Sequence, residues 1–334
     1  MQSDPARACS ACARLAKEFQ ARGKRLALVG GSVRDAILGR VGNDLDFTTD
    51  AHPDESEAIL AKKLEHIWDT GAKFGTISGK KDSFLIEVTT YRSDKYRPDS
   101  RKPQVEFGDS LTGDLARRDF TINAMALELT GEKPEFIDPY QGVVDLAKGQ
   151  IRTPLSPEES FSDDPLRMLR AVRFAAQLDF TLAPELLQAM TSMRDRLTII
   201  SAERIREEFT KIVLSPRPRA GISLLVETGL AEIFIPEIPR LQLEVDEHHH
   251  HKDVYQHSLT VLEQAIALEE RLGGANLTIR LAALLHDIGK PKTKRLIEGG
   301  GVSFHHHEVV GAKMTRDRLK ALRYEADLIK NVSQ

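Results

Sequence analysis

Only two cysteines occur in the chain, Cys9 and Cys12, and no second pair exists to complete a zinc site. Their C-x-x-C spacing falls on one face of an amphipathic segment over residues 1–22, so they read as helical thiols in a reducing cytoplasm. No apolar run approaches the ~18 residues of a transmembrane helix, which excludes a membrane span. The opening MQSDPARACSACARLAKEF lacks the apolar core of a secretion signal. Neither sign of charge is in large excess: the net charge is −3, so any nucleic-acid contact must come from local basic surface. Repeats and low-complexity linkers are missing too. What is present, 41% hydrophobic residues in a chain of 334, suffices for two or three domains.

The strongest local signal is LALVGGSVRDAILGRVGNDLDFTTD. Leu26 to Val29 is an apolar run without helical period, so it predicts a buried strand. Gly30-Gly31 breaks it, Ser32 is placed to cap, and VRDAILG predicts a helix ending at Gly39. A glycine turn that opens a helix offers free backbone N–H groups to an anion. Asp44-Leu45-Asp46-Phe47 then alternates as a strand does, which puts both carboxylates on one face. Two carboxylates on one face suit Mg²⁺, which takes oxygen ligands. An anion cradle beside a divalent-metal site is the equipment of phosphoryl or nucleotidyl transfer.

Further along, Phe84 to Tyr91 reads as a strand after a GKKD turn, and Glu87 on it is a third candidate metal ligand. A surface glutamate paired with lysine or arginine is the plainer alternative. In RRDFTINAMALEL, Arg117 and Arg118 precede an apolar run that predicts a helix. Guanidinium donors match phosphate oxygens, while an ion pair with Asp114 or Asp119 is the structural reading. The helix FSDDPLRMLRAVRFAAQL carries Asp164 and Arg167 three apart, with Arg170 and Arg173 at the same step. Each such step falls about 60° short of a turn, so the stripe winds slowly around the helix. Leu166, Leu169, Val172 and Phe174 fill the core positions between them. From about residue 248 the chain reads DVYQHSLTVLEQAI, LAALLHDIGKPKT and FHHHEVVGA after four histidines, His248 to His251, which suggest a solvated loop. His257, His286, Asp287 and His307 form a candidate divalent-metal set, with a buried structural His–Asp pair as the alternative.

Taken in order, these motifs resemble those of the class II nucleotidyltransferases of the polymerase-β-like superfamily, which comprise the tRNA CCA-adding enzymes and the bacterial poly(A) polymerases. The opening Gly-Gly and DLD, RRDFTINAMA, DPYQGVVDL from Asp138, Asp164-x-x-Arg167 and ISAERIREEF carry the resemblance; TYRSDKYRPDSRKP is similar to the family's loop between catalytic strands. Asp163 stands where a glutamate is more usual. HDIGK with an upstream histidine resembles the HD phosphohydrolases, whose further downstream aspartate is not assignable here. The resemblance implies an α+β fold: a small mixed-sheet catalytic domain over residues 1–150, a helical neck and body over 151–240, and part of a helical HD domain over 241–334. It implies addition of C, C and A to a tRNA 3′ end from CTP and ATP in the cytoplasm, with release of diphosphate. Asp44 and Asp46 would be catalytic, holding two Mg²⁺ with Glu87. Gly31, Arg34 and Arg118 would hold the triphosphate, with Arg170 and Arg173 also on the nucleotide.

Asp164 and Arg167 would choose the base. Cytosine and adenine each present an amino donor beside a ring-nitrogen acceptor, which an Asp–Arg pair complements. Guanine and uracil present the reverse. A poly(A) polymerase or an enzyme adding only part of CCA uses the same scaffold and is the first alternative. A metal-dependent phosphohydrolase centred on His286 and Asp287 is the second. The final YEADLIKNVSQ reads as a helix cut in mid-course, the expectation for a piece of a longer protein.

Overall fold

The computed structural model describes residues 4–68, 71, 75–97, 100–108, 110–242, 253–297 and 301–334; the histidine run 248–251 lies outside them. The chain divides into two compact units, Met1–Asp163 and Asp164–Gln334.

The first unit is built on a seven-stranded sheet. Its strands are β1 (Leu26–Val29), β2 (Asp44–Thr49), β3 (His66–Trp68), β4 (Thr76–Lys81), β5 (Phe84–Thr90), β8 (Ala126–Glu128) and β9 (Glu135–Ile137), and β6 (Arg92–Arg97) pairs with β7 (Ser100–Phe107) as a separate ladder. The spatial order is β3-β4-β5-β2-β1-β8-β9. Every neighbour is antiparallel except β2 and β5, which run parallel. The mixed sheet places the unit in the expected α+β class. Helix α1 (Pro5–Gln20) starts at Asp4, whose carboxylate accepts from the Ala6 N–H, and buries Ala8, Ala11, Cys12, Leu15, Ala16 and Phe19 at helical spacing. Burial pushes the Cys12 thiol up to about 11, with Cys9 nearby adding to the rise; Cys9 itself is exposed. Helices α2 (Gly31–Ile37), α3 (Pro53–Leu60), α4 (Leu111–Ala116), α5 (Gly142–Lys148) and α6 (Pro157–Asp163) complete this unit. Ala27, Val29, Tyr91, Leu111, Leu115, Ala124 and Ala126 form its core beside β1.

Two local expectations change. The apolar run after Arg118 is not helical: Thr121–Asn123 makes one tight turn and Ala126–Glu128 joins the sheet between β1 and β9. The segment expected as a loop around residue 95 is the β6–β7 ladder.

The second unit is helical apart from short strands. It comprises α7 (Leu166–Leu178), α8 (Pro184–Met193), α9 (Ala202–Val213), α10 (Pro218–Glu227), α11 (Leu230–Phe234), α12 (Val254–Ala267), α13 (Leu277–Leu285), α14 (Lys290–Thr293), α15 (His307–Ala321) and α16 (Ala326–Val332), with a hairpin of Arg295–Ile297 on Gly301–Ser303. Its core is the apolar face of α7 against that of α9, where Phe209, Ile212 and Val213 are buried. Helix α10 approaches so closely that a Cβ on Gly221 would lie 2.6 Å from Ile212 Cγ2 and 3.1 Å from Ala176 Cβ. Buried Arg280 ties α13 both to the Glu269 carboxylate and to the end of α9. Arg280 meets Glu269 twice, at 2.7 Å each, and donates at 2.8 Å to the carbonyls of Val213 and Ser215.

Candidate active sites

The parallel pairing of β2 with β5 sets the first site. Its register puts Asp46 opposite Glu87, and Asp44 opposite Leu85. Asp44 and Asp46 share one face of β2, while Leu45 and Phe47 bury the other. Three carboxylates therefore converge. Burial pushes the Asp46 carboxyl up to about 6; the like charges of Glu87 and Asp44 add to the rise, and Arg118 and Arg34 oppose it. Glu87 accepts from the Ser78 hydroxyl at 3.2 Å.

The glycine turn sits against this triad. Gly30 has φ +66°, and a Cβ there would lie 3.1 Å from Arg118 Nη1 and 3.8 Å from Asp46 Oδ2. Both the backbone angle and the approach require glycine. Ser32 does not cap α2. Its hydroxyl accepts from the Asp46 N–H at 2.9 Å and donates to the Asp44 carbonyl at 3.1 Å, which ties the turn to the acidic strand. Arg118 reaches the turn from the end of α4, where buried Asp114 receives Arg118 at 3.0 Å and Arg117 at 2.7 Å. Burial would raise the Asp114 carboxyl, but the two guanidiniums outweigh it and hold it below the ordinary range. Arg34, expected on the triphosphate, is buried, with its guanidinium on Asn123 at 2.7 Å and on Asp35 at 2.8 and 2.9 Å. Gly31 faces Arg34, 3.5 Å from Nη2 for an added Cβ.

In the second unit, Asp164 precedes α7 and caps it: Oδ1 accepts from the Leu166 N–H at 3.1 Å. Its other oxygen receives Arg204 of α9 at 2.7 Å. Sequence reasoning missed Arg204 as a partner; ISAERIREEF signalled only a supporting helix. Arg167 follows one turn later, half-buried like Arg170. Arg173 is engaged with buried Glu208 at 2.7 Å and lies 4.3 Å from the Phe174 ring centroid.

The histidines form a third cluster. Buried Asp287 has His286 Nε2 at 3.1 Å, His257 Nε2 at 3.8 Å and Lys290 Nζ at 2.7 Å from Oδ2, with His307 Nε2 at 3.6 Å from Oδ1. His286 Nδ1 lies 2.8 Å from the Ala283 carbonyl, and His307 Nδ1 lies 2.9 Å from that of Phe304. A carbonyl only accepts, so each Nδ1 carries a proton and each Nε2 is turned inward, where a protonated ring donates to Asp287 and a neutral one offers its lone pair to a metal. Burial would raise the Asp287 carboxyl, but hydrogen bonds from His286 and Lys290 bring it down to about 2. The hydrogen bond to Asp287 raises His286 against its own burial. Ligand atoms of His257, His286 and Asp287 lie within 4.8 Å of one another, the one such group among the described residues. Both donor sets fit divalent ions: three carboxylates for a hard cation, imidazoles with a carboxylate for a transition metal.

A mixed sheet carrying an acidic triad beside a glycine turn, followed by a helical body, defines the polymerase-β-like class of nucleotidyltransferases. Family models match the poly A polymerase head domain over residues 26–152, the probable RNA and SrmB-binding site of polymerase A over 179–241, and the HD domain over 254–333. The chain belongs to the class II nucleotidyltransferases, the family of CCA-adding enzymes and bacterial poly(A) polymerases.

Among its relatives, the CCA-adding enzyme of Lactobacillus johnsonii is 42% identical over 217 residues, 65% of this chain and 53% of that one. That of Levilactobacillus brevis is 45% identical over 203 residues, 60% and 49%. The chain thus spans about half the length of these curated relatives. The structure of the Bacillus stearothermophilus CCA-adding enzyme in complex with CTP matches with a TM-score of 0.64 and 29% identity, over 95% of this chain and 66% of that one. No helix among the described residues is long and apolar enough to cross a membrane.

Proposed function

We propose that the chain is a cytoplasmic CCA-adding tRNA nucleotidyltransferase, extending a tRNA 3′ end from CTP and ATP and releasing diphosphate. The observation that carries this reading is the Asp46–Glu87 register beside Asp44, with Gly30 and Arg118 against the same carboxylates. Two Mg²⁺ held by Asp44, Asp46 and Glu87 would lower the pKa of the terminal 3′-hydroxyl and neutralise the leaving diphosphate. The Gly30–Gly31 turn and Arg118 take the triphosphate, with Arg34 bracing the turn through Asn123. Residues 1–150 work as the catalytic head, 151–240 as the neck that reads base and RNA, and 241–334 as the HD region. The test supplies tRNA lacking its 3′ end with each labelled nucleotide in turn. Stepwise CTP then ATP incorporation is expected; ATP addition without a CTP-dependent step would favour a poly(A) polymerase instead.

Asp164 and Arg167 select the base, and Arg204 positions Asp164. Removing a bidentate base contact costs about 1–3 kcal/mol of discrimination. Asp164→Ala is therefore expected to weaken preference for CTP and ATP over GTP and UTP by roughly 10- to 100-fold. Arg204→Met should do the same to a smaller extent, while Arg204→Lys retains selection. Competition between labelled nucleotides measures the ratio; unchanged ratios in Asp164→Ala would remove the template role.

Asp46 also predicts a pH dependence. Its folded pKa of about 6 exceeds the ordinary carboxylate value. The folded head then binds a proton that the unfolded chain releases, so this carboxyl's contribution to stability falls as pH rises from about 4 to about 6. Melting curves of the parent and Asp46→Asn should converge at low pH and separate across that window, with Asp46→Asn the more stable above it. Parallel curves would contradict the placement.

The His257–His286–Asp287 cluster favours a second reading, a metal-dependent phosphohydrolase in the same chain. Asp287→Asn should abolish any phosphatase activity and leave nucleotide addition intact.

A further inference from the structure

We propose that Lys290 is a built-in competitor for the metal of the histidine cluster, its ammonium holding the Asp287 oxygen that a divalent ion requires. This rests on the reading of His257, His286 and Asp287 as a metal site. The inward Nε2 atoms of His257 and His286 face Asp287 Oδ2, and the same oxygen receives Lys290 Nζ at 2.7 Å. An ion bound by that oxygen would sit about 2.0–2.2 Å from it. Two cations cannot share one carboxylate oxygen at such spacing without strong repulsion, so the ion must displace the ammonium.

The surroundings provide for both states. Without an ion, Asp287 is 2% exposed, and Lys290 leaves its charge compensated rather than bare. The Phe304 ring already borders the ammonium, its centroid 5.8 Å from Nζ, so a Lys290 displaced by an ion keeps an aromatic face to rest against. Asp287 Oδ1 is unaffected by the exchange, since it faces His307 at 3.6 Å. The cluster is thus stable metal-free, and it loads metal reversibly at the expense of one charge-assisted hydrogen bond.

The test uses the full chain carrying Asp44→Ala and Asp46→Ala, so that Mn²⁺ binding, read from the EPR signal of the free ion, reports on this cluster. Lys290→Gln is expected to tighten Mn²⁺ binding by roughly tenfold or more, the worth of a hydrogen bond to a charged group. Equal or weaker binding would overturn the proposal. Asp287→Asn should abolish binding in both backgrounds; if it changes nothing, the metal-site reading fails and the competition with it. A second measurement needs no substitution at Lys290. Acetylation of Lys290 by an N-hydroxysuccinimide ester, followed by mass spectrometry, should accelerate when Mn²⁺ saturates the site. A rate that is unchanged or slower would show that the ammonium is not displaced.

Discussion

Nucleotide addition by the Asp44→Ala, Asp46→Ala double variant is expected to fall by on the order of 10³-fold or more, because the groups that stabilise charge at the reacting phosphate are lost together. The geometry makes the two residues a unit. They share one face of β2, and Glu87 stands beside Asp46 on the neighbouring parallel strand. Glu87→Gln alone should cost less, since it leaves two carboxylates in place. The fold should survive, because the opposite face of β2 carries the core residues Leu45 and Phe47. Removing like charges from beside Glu87 relieves repulsion rather than adding it. Single-turnover incorporation of labelled CTP, with tRNA binding and melting temperature measured on the same preparation, decides the matter. Addition that persists in a folded double variant would place the chemistry elsewhere.

Arg280→Met is expected to destabilise the second unit by about 3–5 kcal/mol, the cost of stranding a buried charge. Arg280 and Glu269 are only 4% and 6% exposed. Loss of the guanidinium leaves the Glu269 carboxylate with the Asn276 N–H, and it also frees the Val213 and Ser215 carbonyls at the end of α9. For a unit of this size the shift in melting temperature is roughly 6–20 °C. Replacing both partners with Glu269→Leu and Arg280→Met should cost less than the single change, because no charge is then stranded. Calorimetry on the three variants gives the cycle. A single variant that melts with the parent would mean the pair carries no net weight.

Much of this was readable from the residues, for identifiable reasons. The strand–turn–helix–strand order around Gly30 and Asp46 was legible because period-two alternation and glycine punctuation are local signals. Ala126–Glu128 was not. Its residues are good helix formers, yet they lie between β1 and β9, where burial in the sheet overrides propensity. That Gly30 takes the positive φ and that Arg118 comes close to it are announced by no neighbouring residue. Ser32 looked like a cap because it follows a turn; its hydroxyl instead serves a strand 12 residues on. The Asp164–Arg204 pair spans 40 residues, and the β2–β5 register joins segments equally far apart. Pairings at such separations follow from the fold, not from local spacing. Asp287, by contrast, announced its neighbours through the HDIGK string itself.

The unequal thiols of α1 have a practical consequence. Cys9 points to solvent and Cys12 is buried, and the chain holds no other sulfhydryl. A maleimide dye should therefore attach at one defined position of the native protein without any engineered background, giving a ready fluorescent handle for anisotropy or single-molecule work.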